Sequence, residues 1–354
     1  MKVDDQIEEI IKELKNTPYN KATEHHIGRL KAKLARLREE SEKRSSSRGP
    51  KKETIRRVGD ATVILIGPPS VGKSTLFNKL TYSNSEVGTY DFTTVDVISG
   101  VLRYKGAKIQ ILDVPGLIKD LRGMGRMVAS YIRASDLIVI MTDPYNLNAF
   151  DEIEEELYNI GIRLNRKRTD ISIKKKLTGG IKINSTVEQE ISDDVFKEIL
   201  KEYKIHNAEI IIRENIDINS FIDALHSNRT YIKCIKVINK IDLINEENKR
   251  KNNNILEISA EKDINLNLLK ETILNKLDLI PVYMKKRSKV DYDEPIIIKR
   301  GSTVEDVCER IHKDFVKRFK YARVVGSSVK YDNQKVGLSH VLDAGDILTI
   351  VLKR

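Results

Sequence analysis

Cysteine is almost missing from this 354-residue chain. Its two copies, Cys234 and Cys308, lie inside apolar stretches and make no CxxC or other metal-ligand spacing. A disulfide framework is thereby excluded. Histidine is scarce too, at six residues, and its adjacent pair, His25 and His26, reads as the solvated face of a helix. No apolar run reaches the 18 residues of a membrane span, and no signal peptide is present, so the expectation is a cytoplasmic protein. What is abundant is charge. Charged residues make up 32% of the chain and the net charge is +11, which points to a polyanionic partner such as RNA or a ribosome.

Length allows two or three domains. The first 57 residues read as a helical hairpin and a basic linker. "DDQIEEIIKELKN" sets Ile7, Ile10, Ile11 and Leu14 on one face, and Ile27, Leu30, Leu34 and Leu37 do the same after the break at "NTPYN". "KRSSSRGPKKETIRR" is the linker. Residues 1–57 hold 16 Lys/Arg and 10 Asp/Glu, which makes the arm either a solvated connector or an RNA contact. It lacks bulky aromatics on a long apolar face, which argues against a membrane surface.

Short apolar runs follow, each ending in a polar motif: "ATVILIG", "DLIVIMTD", "CIKVINK" and "NILEISA". "VISGVLRYKGAKIQILDV" reads as two strands about a "KGA" turn. Such runs, alternating with helical patterns, predict a doubly wound α/β sheet whose ligand sits at the carboxyl ends of its strands. Residues 58–164 and 229–288 are assigned to this domain. The 123 residues from Gly116 to Asn239 exceed by roughly 70 what helix, strand and helix require. Residues 165–228 are therefore read as an inserted small α+β domain. In it, "DISIKKKLTGGIKINS" resembles a hairpin across a Gly-Gly turn, "DDVFKEILKEYK" a helix, "NAEIIIRE" a strand and "DINSFIDALHSN" a helix. A strand-rich tail, 291–354, completes the chain. There, Ser302 and Glu305 have capping-box spacing.

"GPPSVGKST" spans Gly67, Pro68, Pro69, Ser70, Val71, Gly72, Lys73, Ser74 and Thr75 between a strand and a helix, the context of a phosphate loop. Its backbone N–H groups would ring the phosphates, Lys73 would reach the β- and γ-phosphates, and Ser74 would ligate magnesium. "NKID" places Asp242 to accept from the N1–H and 2-amino group of guanine, with Lys240 stacked on the base and Asn239 bracing the loop. Adenine would leave Asp242 unpaired. "ISA", with Ser259 and Ala260, follows the next strand, where a backbone N–H could meet guanine O6. "DVPG" supplies Asp113 for water-mediated magnesium binding and the Gly116 N–H for the γ-phosphate. Within "YDFTT", beside Phe92, either Thr93 or Thr94 could add a magnesium ligand when the γ-phosphate is present. The glycines of "RGMGRM", 122–127, suit a segment that orders and disorders.

In this order, and with the tail "GSTVEDVCERIHKDFVKRFKYARVVGSSVKYDNQKVGLSHVL", the chain resembles the Drg branch of the Obg-type translation-factor GTPases over nearly its whole length. The tail looks like a TGS domain of the ubiquitin-like β-grasp kind. The resemblance implies an amino-terminal helical region, a ribosomal-protein-like insert in a P-loop GTPase domain, and hydrolysis of GTP in translation or growth. By position it puts the family's magnesium ligands on Ser74 and Thr94, beside Lys73 and Gly116 as catalytic groups. The expected partners are a ribosome or RNA and a small regulatory protein, the free protein being a monomer.

Leu117 stands where Ras-like enzymes carry a water-orienting glutamine. Phosphoryl transfer rests on positioning and charge neutralisation, so hydrolysis survives if something else holds the water. Potassium near Ser70, a partner group in trans, or backbone near Thr93 could do so. Relatives that use potassium often carry asparagine where this chain has Ser70. The competing reading is a GTP/GDP-sensing ribosome or RNA scaffold with negligible turnover; intact Lys73, Ser74 and Asp113 favour the enzyme. For RNA, the candidate segments are the arm, "IKKKL" of the insert and "KDFVKRFKYAR" of the tail. The last carries Phe315, Phe319 and Tyr321 among basic residues, or else hides them on a helix core face.

Overall fold

The computed structural model describes residues 3–46, 58–81, 88–90, 97–114, 125–243, 255–286 and 289–353. The helices α1 (Val3–Asn16) and α2 (Glu24–Ser46) come first. The strand β1 (Ala61–Ile66) leads into α3 (Lys73–Thr81), and β2 (Gly88–Tyr90), β3 (Val97–Tyr104) and β4 (Ala107–Asp113) follow. Next are α4 (Gly125–Ala134), β5 (Leu137–Thr142), α5 (Ala149–Asn159) and β6 (Ile162–Leu164). The insert continues with β7 (Ile171–Lys175), β8 (Ile181–Ser185), α6 (Asp193–Glu202), β9 (Ala208–Ile212) and α7 (Ile218–Leu225). Then come β10 (Thr230–Ile238), β11 (Ile255–Glu257) and α8 (Leu266–Lys276). The tail holds β12 (Leu279–Lys286), β13 (Lys289–Lys299), α9 (Val304–Ile311), α10 (Lys313–Lys317), β14 (Phe319–Val325), β15 (Gln334–Val336) and β16 (Ile347–Leu352). The chain divides into two compact units, Met1–Thr54 with Gly161–Tyr231, and Ile55–Ile160 with Ile232–Arg354.

The larger unit is built on a sheet ordered β11-β10-β5-β1-β4-β3-β2. Its five strands from β11 to β4 run parallel, and β3 and β2 add an antiparallel edge. Strands β1 and β5 are buried along their whole length, because "ATVILI" and "LIVIMT" have an apolar side chain for each face. Leu76, Phe77 and Leu80 of α3 and Leu266, Leu269 and Ile273 of α8 close one face. Ile132 of α4 and Phe150, Ile153 and Leu157 of α5 are buried as well. The β3–β4 hairpin turns at Lys105 and Gly106, both at positive φ (49° and 83°), as the "KGA" reading requires.

The tail forms a second sheet, β13-β12-β16-β14-β15. Val304, Val307 and Cys308 of α9 pack on its core face against Val282, Val324 and Leu348. The helix begins one residue later than expected. Thr303, not Ser302, is the N-cap, and Asp306 closes the capping box. Val304, Val307 and Cys308 share the buried face of the helix.

In the smaller unit β7 and β8 do not pair with each other. The sheet order is β7-β9-β8, with β9 antiparallel to β7 and parallel to β8. The hairpin expected from the Gly-Gly turn is therefore replaced by a crossing loop. The reason lies in composition: "AEIII" is the most apolar of the three strands and takes the centre, leaving the lysine-bearing strands at the edges. Ile210 and Ile212 of β9 meet Val195, Phe196 and Ile199 of α6 and Phe221 of α7 in one core. The two amino-terminal helices pair through Ile7, Ile10, Leu30, Leu34 and Leu37. On another face α2 also docks on the insert: Ala32 lies in its core, and a Cβ added at Gly28 would sit 3.1 Å from Val195 Cγ1. The arm is thus one compact body with the insert. Small residues carried that contact, and they leave little hydrophobic signal.

Candidate nucleotide-binding site

The loop between β1 and α3 is set by two glycines that admit no side chain. A Cβ on Gly67 would come within 2.3 Å of the Met141 carbonyl oxygen. Gly72 has φ +90°, and a Cβ there would lie 2.5 Å from Asn239 Nδ2. Pro68 is buried, Pro69 and Ser70 are exposed, and Ser70 takes φ +61°. Val71 is buried beneath the loop. Thr75 is half-buried in the first turn of α3.

Lys73 is only 6% exposed, and its Nζ donates to the carbonyl oxygens of Gly67 (3.0 Å) and Pro68 (2.7 Å). Burial pushes its ammonium below the ordinary lysine value, against the pull of Asp113. Ser74 Oγ donates to Asp113 Oδ2 at 2.8 Å. Asp113, at the end of β4, is also 6% exposed, and its Oδ1 has no hydrogen-bond partner. Burial raises its carboxyl above the usual range, while the Ser74 hydroxyl and Lys73 oppose the rise. A buried carboxylate oxygen beside a hydroxyl suits a hard cation with oxygen ligands, and magnesium fits this donor set. Among the described residues no group of three or more His, Cys, Asp or Glu could hold a metal.

The second half of the site hangs on Asn239. Its Nδ2 donates to the Val71 carbonyl (2.9 Å), and its Oδ1 accepts from the Ala260 N–H (2.9 Å). One buried amide thus ties the phosphate loop to the segment after β11. Lys240, at φ +63°, donates from Nζ to the Ser70 carbonyl at 2.6 Å. Asp242 has a buried Oδ1 with no partner, and the Ser259 hydroxyl holds its carboxyl below the usual range. Ser259 and Ala260 are buried, and Ser259 Oγ accepts from the Lys262 N–H.

The structure thus brings together residues 67–75, Asp113, 239–242 and 259–260. Phe92, Thr93, Thr94, Gly116 and Leu117 lie outside the described residues, as do 47–57 of the basic linker, whose first four residues end α2, and the first part of "RGMGRM"; α4 begins at Gly125. Sequence reasoning missed the backbone of Met141, whose carbonyl faces Gly67, and of Thr142, whose carbonyl accepts from the Asn239 N–H. Carbonyl groups carry no residue signature. The tail segment "KDFVKRFKYAR" is not one helix. It breaks after Lys317 into β14, with Phe315 and Phe319 against the tail core. Tyr321 lies beneath Lys335 Nζ, 4.6 Å from its ring centre.

Comparison with known proteins gives this geometry its family. The family model described as "50S ribosome-binding GTPase" matches residues 62–175, that of the C-terminal region of the same domain 178–279, and that of the TGS domain 280–352. The chain is 50% identical to a GTP-binding protein of Methanocaldococcus jannaschii, covering 100% of this chain and 94% of that one. It is 43% identical to developmentally-regulated GTP-binding protein 2 of Homo sapiens, over 99% of both. The chain belongs to the Drg family. As a Drg protein it is a GTP-binding protein of the GTPase class, with a P-loop domain and a carboxyl-terminal TGS domain. GTP-binding protein 1 of Schizosaccharomyces pombe, 43% identical over the full length of both chains, has the same extent. No helix among the described residues is long and apolar enough to cross a membrane.

Proposed function

We propose that this Drg protein binds GTP with magnesium, hydrolyses it to GDP and phosphate, and acts as a switch on ribosomes or RNA. The observation that carries the reading is a pair of buried carboxylate oxygens without a protein donor, Asp113 Oδ1 and Asp242 Oδ1. Each is costly to leave unpaired. Each also stands at the carboxyl end of a strand in one parallel sheet, where ligands of such sheets bind.

Asp242 offers the acceptors that the N1–H and 2-amino group of guanine require, and Asn239 holds the loop that presents it. Ser74 and Asp113 would hold magnesium, with Thr94 as the further ligand. The ion, when bound, spreads the charge of the β- and γ-phosphate oxygens. The loop amides of 67–72 would orient the phosphates. Lys73 would exchange its two carbonyl acceptors for phosphate oxygens, a favourable trade for a buried ammonium. The Gly116 N–H would sense the γ-phosphate. Leu117 leaves the attacking water to another group. Among the described residues Ser70 offers potassium a hydroxyl, while the Lys240 ammonium on its carbonyl opposes a second cation there. Any further cation ligands, or the backbone that holds the water, would come from around Thr93. A small regulatory protein is the third candidate for that group.

A single-turnover assay with labelled GTP, with and without ribosomes and in potassium against sodium, tests this. Phosphate release that accelerates with ribosomes is the expected result. Tight GTP binding with no release under any of these conditions would instead make the protein a nucleotide-sensing scaffold. Equal rates in the two salts would remove potassium from the mechanism.

A further inference from the structure

The charge of the inserted domain is strongly polarised. Residues 161–183 carry eight Lys/Arg and one Asp/Glu, whereas 184–231 carry five and ten. The register shows where the basic half goes. One rung of the sheet aligns Lys174, Glu209 and Lys182, and the next aligns Ser172, Ile211 and Asn184. These side chains alternate with the buried Ile210 and Ile212, so they form the face turned away from α6 and α7. Lys174, Lys176 and Lys182 are exposed there. Lys176 pairs with Glu209 at 2.7 Å, and among the described residues neither Lys174 nor Lys182 has an ion pair. Three ammonium groups thus surround a single carboxylate. At the end of the same face the crossing loop carries Leu177, 96% exposed, followed by Gly179 and Gly180 at positive φ, where a Cβ added at either would meet no atom within 4 Å.

We infer that this face, with Leu177 at its edge, binds the phosphate backbone of double-helical RNA. The inference rests on the RNA reading above and assigns it a surface and a ligand class. Charge complementarity selects a polyanion. The absence of any aromatic residue on the two rungs selects the class. Single strands are held by stacking their bases on aromatic rings, and this face has none to offer. Duplex RNA instead presents ridges of phosphate and a wide, shallow minor groove that is recognised by shape. A flat face with ammonium groups on outer strands can span the ridges, and an exposed leucine can lie in the groove. Binding of this kind is independent of sequence and strongly dependent on salt.

The test uses the full chain, a 20-base-pair RNA duplex and the corresponding single strand, with fluorescent GDP binding as the check on folding. Changing Lys174, Lys176 and Lys182 together to Gln should weaken duplex binding at least about tenfold and reduce the salt slope by roughly 3. Changing Lys12, Lys197 and Lys201 to Gln removes the same charge elsewhere in the unit and should do neither. Leu177→Ser should weaken binding with the slope unchanged. If the wild type binds RNA but the first triple variant binds as well as wild type, or the two triple variants lose equally, the surface is wrong and the RNA reading stands. Preference for the single strand overturns the ligand class. If the wild type binds neither RNA, the RNA reading falls and this inference with it.

Discussion

Asp113 and Asp242 each bury one carboxylate oxygen that no protein donor reaches, and they do so for different ligands. Asp242→Asn separates them. An amide presents one donor and one acceptor, which mismatches guanine but suits xanthine, whose C2 carbonyl replaces the amino group. GTP affinity should fall at least about 100-fold and XTP affinity should rise, as read by competition against fluorescent GDP. Gly72→Ala probes the loop by sterics alone. With φ +90° and Asn239 Nδ2 at 2.5 Å, the methyl must displace the amide that joins the two halves of the site. A loss of about 1–3 kcal/mol of stability, seen by denaturant unfolding, should accompany weaker nucleotide binding. Asp113 and Asp242 were legible in the sequence because each stands at or just beyond the carboxyl end of a strand and bears a side chain whose chemistry names its ligand. The brace from Asn239 to Val71 and Ala260 was anticipated only as a role. Its partners are backbone atoms from segments far away in sequence.

At the scale of elements, legibility followed hydrophobic contrast. The stripes of α1 and α2, the strands β1, β5 and β10 and the helices α6 and α7 stand out by periodicity. The order β7-β9-β8 does not, since β7 and β8, with isoleucine at alternate positions on either side of a Gly-Gly pair, read equally well as a hairpin. Nor does the second face of α2, where Gly28 and Ala32 make their contact by being small. Ala32→Leu tests that face. The site is fully buried in the insert core, so the larger side chain should cost about 1–3 kcal/mol. Limited proteolysis should then cut α2 sooner, while GDP binding stays as in wild type.

At the scale of the molecule, two compact units imply two unfolding transitions with separate ligands and separate pH dependence. GDP at 100 times its Kd should stabilise the unit carrying the phosphate loop by about 2.7 kcal/mol and leave the other where it was. Differential scanning calorimetry reads both. Acid should do the reverse, through His226. This ring is buried, accepts from the Tyr203 hydroxyl at Nε2 (2.7 Å) and pairs at Nδ1 with Glu39, an arrangement complete for neutral imidazole. Arg229 and Asp223 stand close by. Burial, then Arg229, depress its pKa below 6.5, so the folded unit binds fewer protons than the unfolded chain. Its contribution is complete above 6.5 and is lost as the pH falls from there towards the depressed value. His226→Gln should flatten that dependence in the smaller unit alone.

Gly161 and Thr230 bound the insert, and the Thr230 N–H donates to the Gly161 carbonyl at 3.1 Å. The 68 residues between them leave and return at one point. During synthesis β1, β4 and β5 emerge well before β10, which bears the guanine-reading loop. Bringing β10 to β5 across a floppy loop of that length would cost on the order of 4 kcal/mol in chain entropy. Once the insert has folded, its joined ends present β10 to the sheet as if the intervening chain were a tight turn. The insert thereby biases the order of assembly: the phosphate half of the pocket can take shape first, and the base-reading half closes at lower entropic cost once the insert is made.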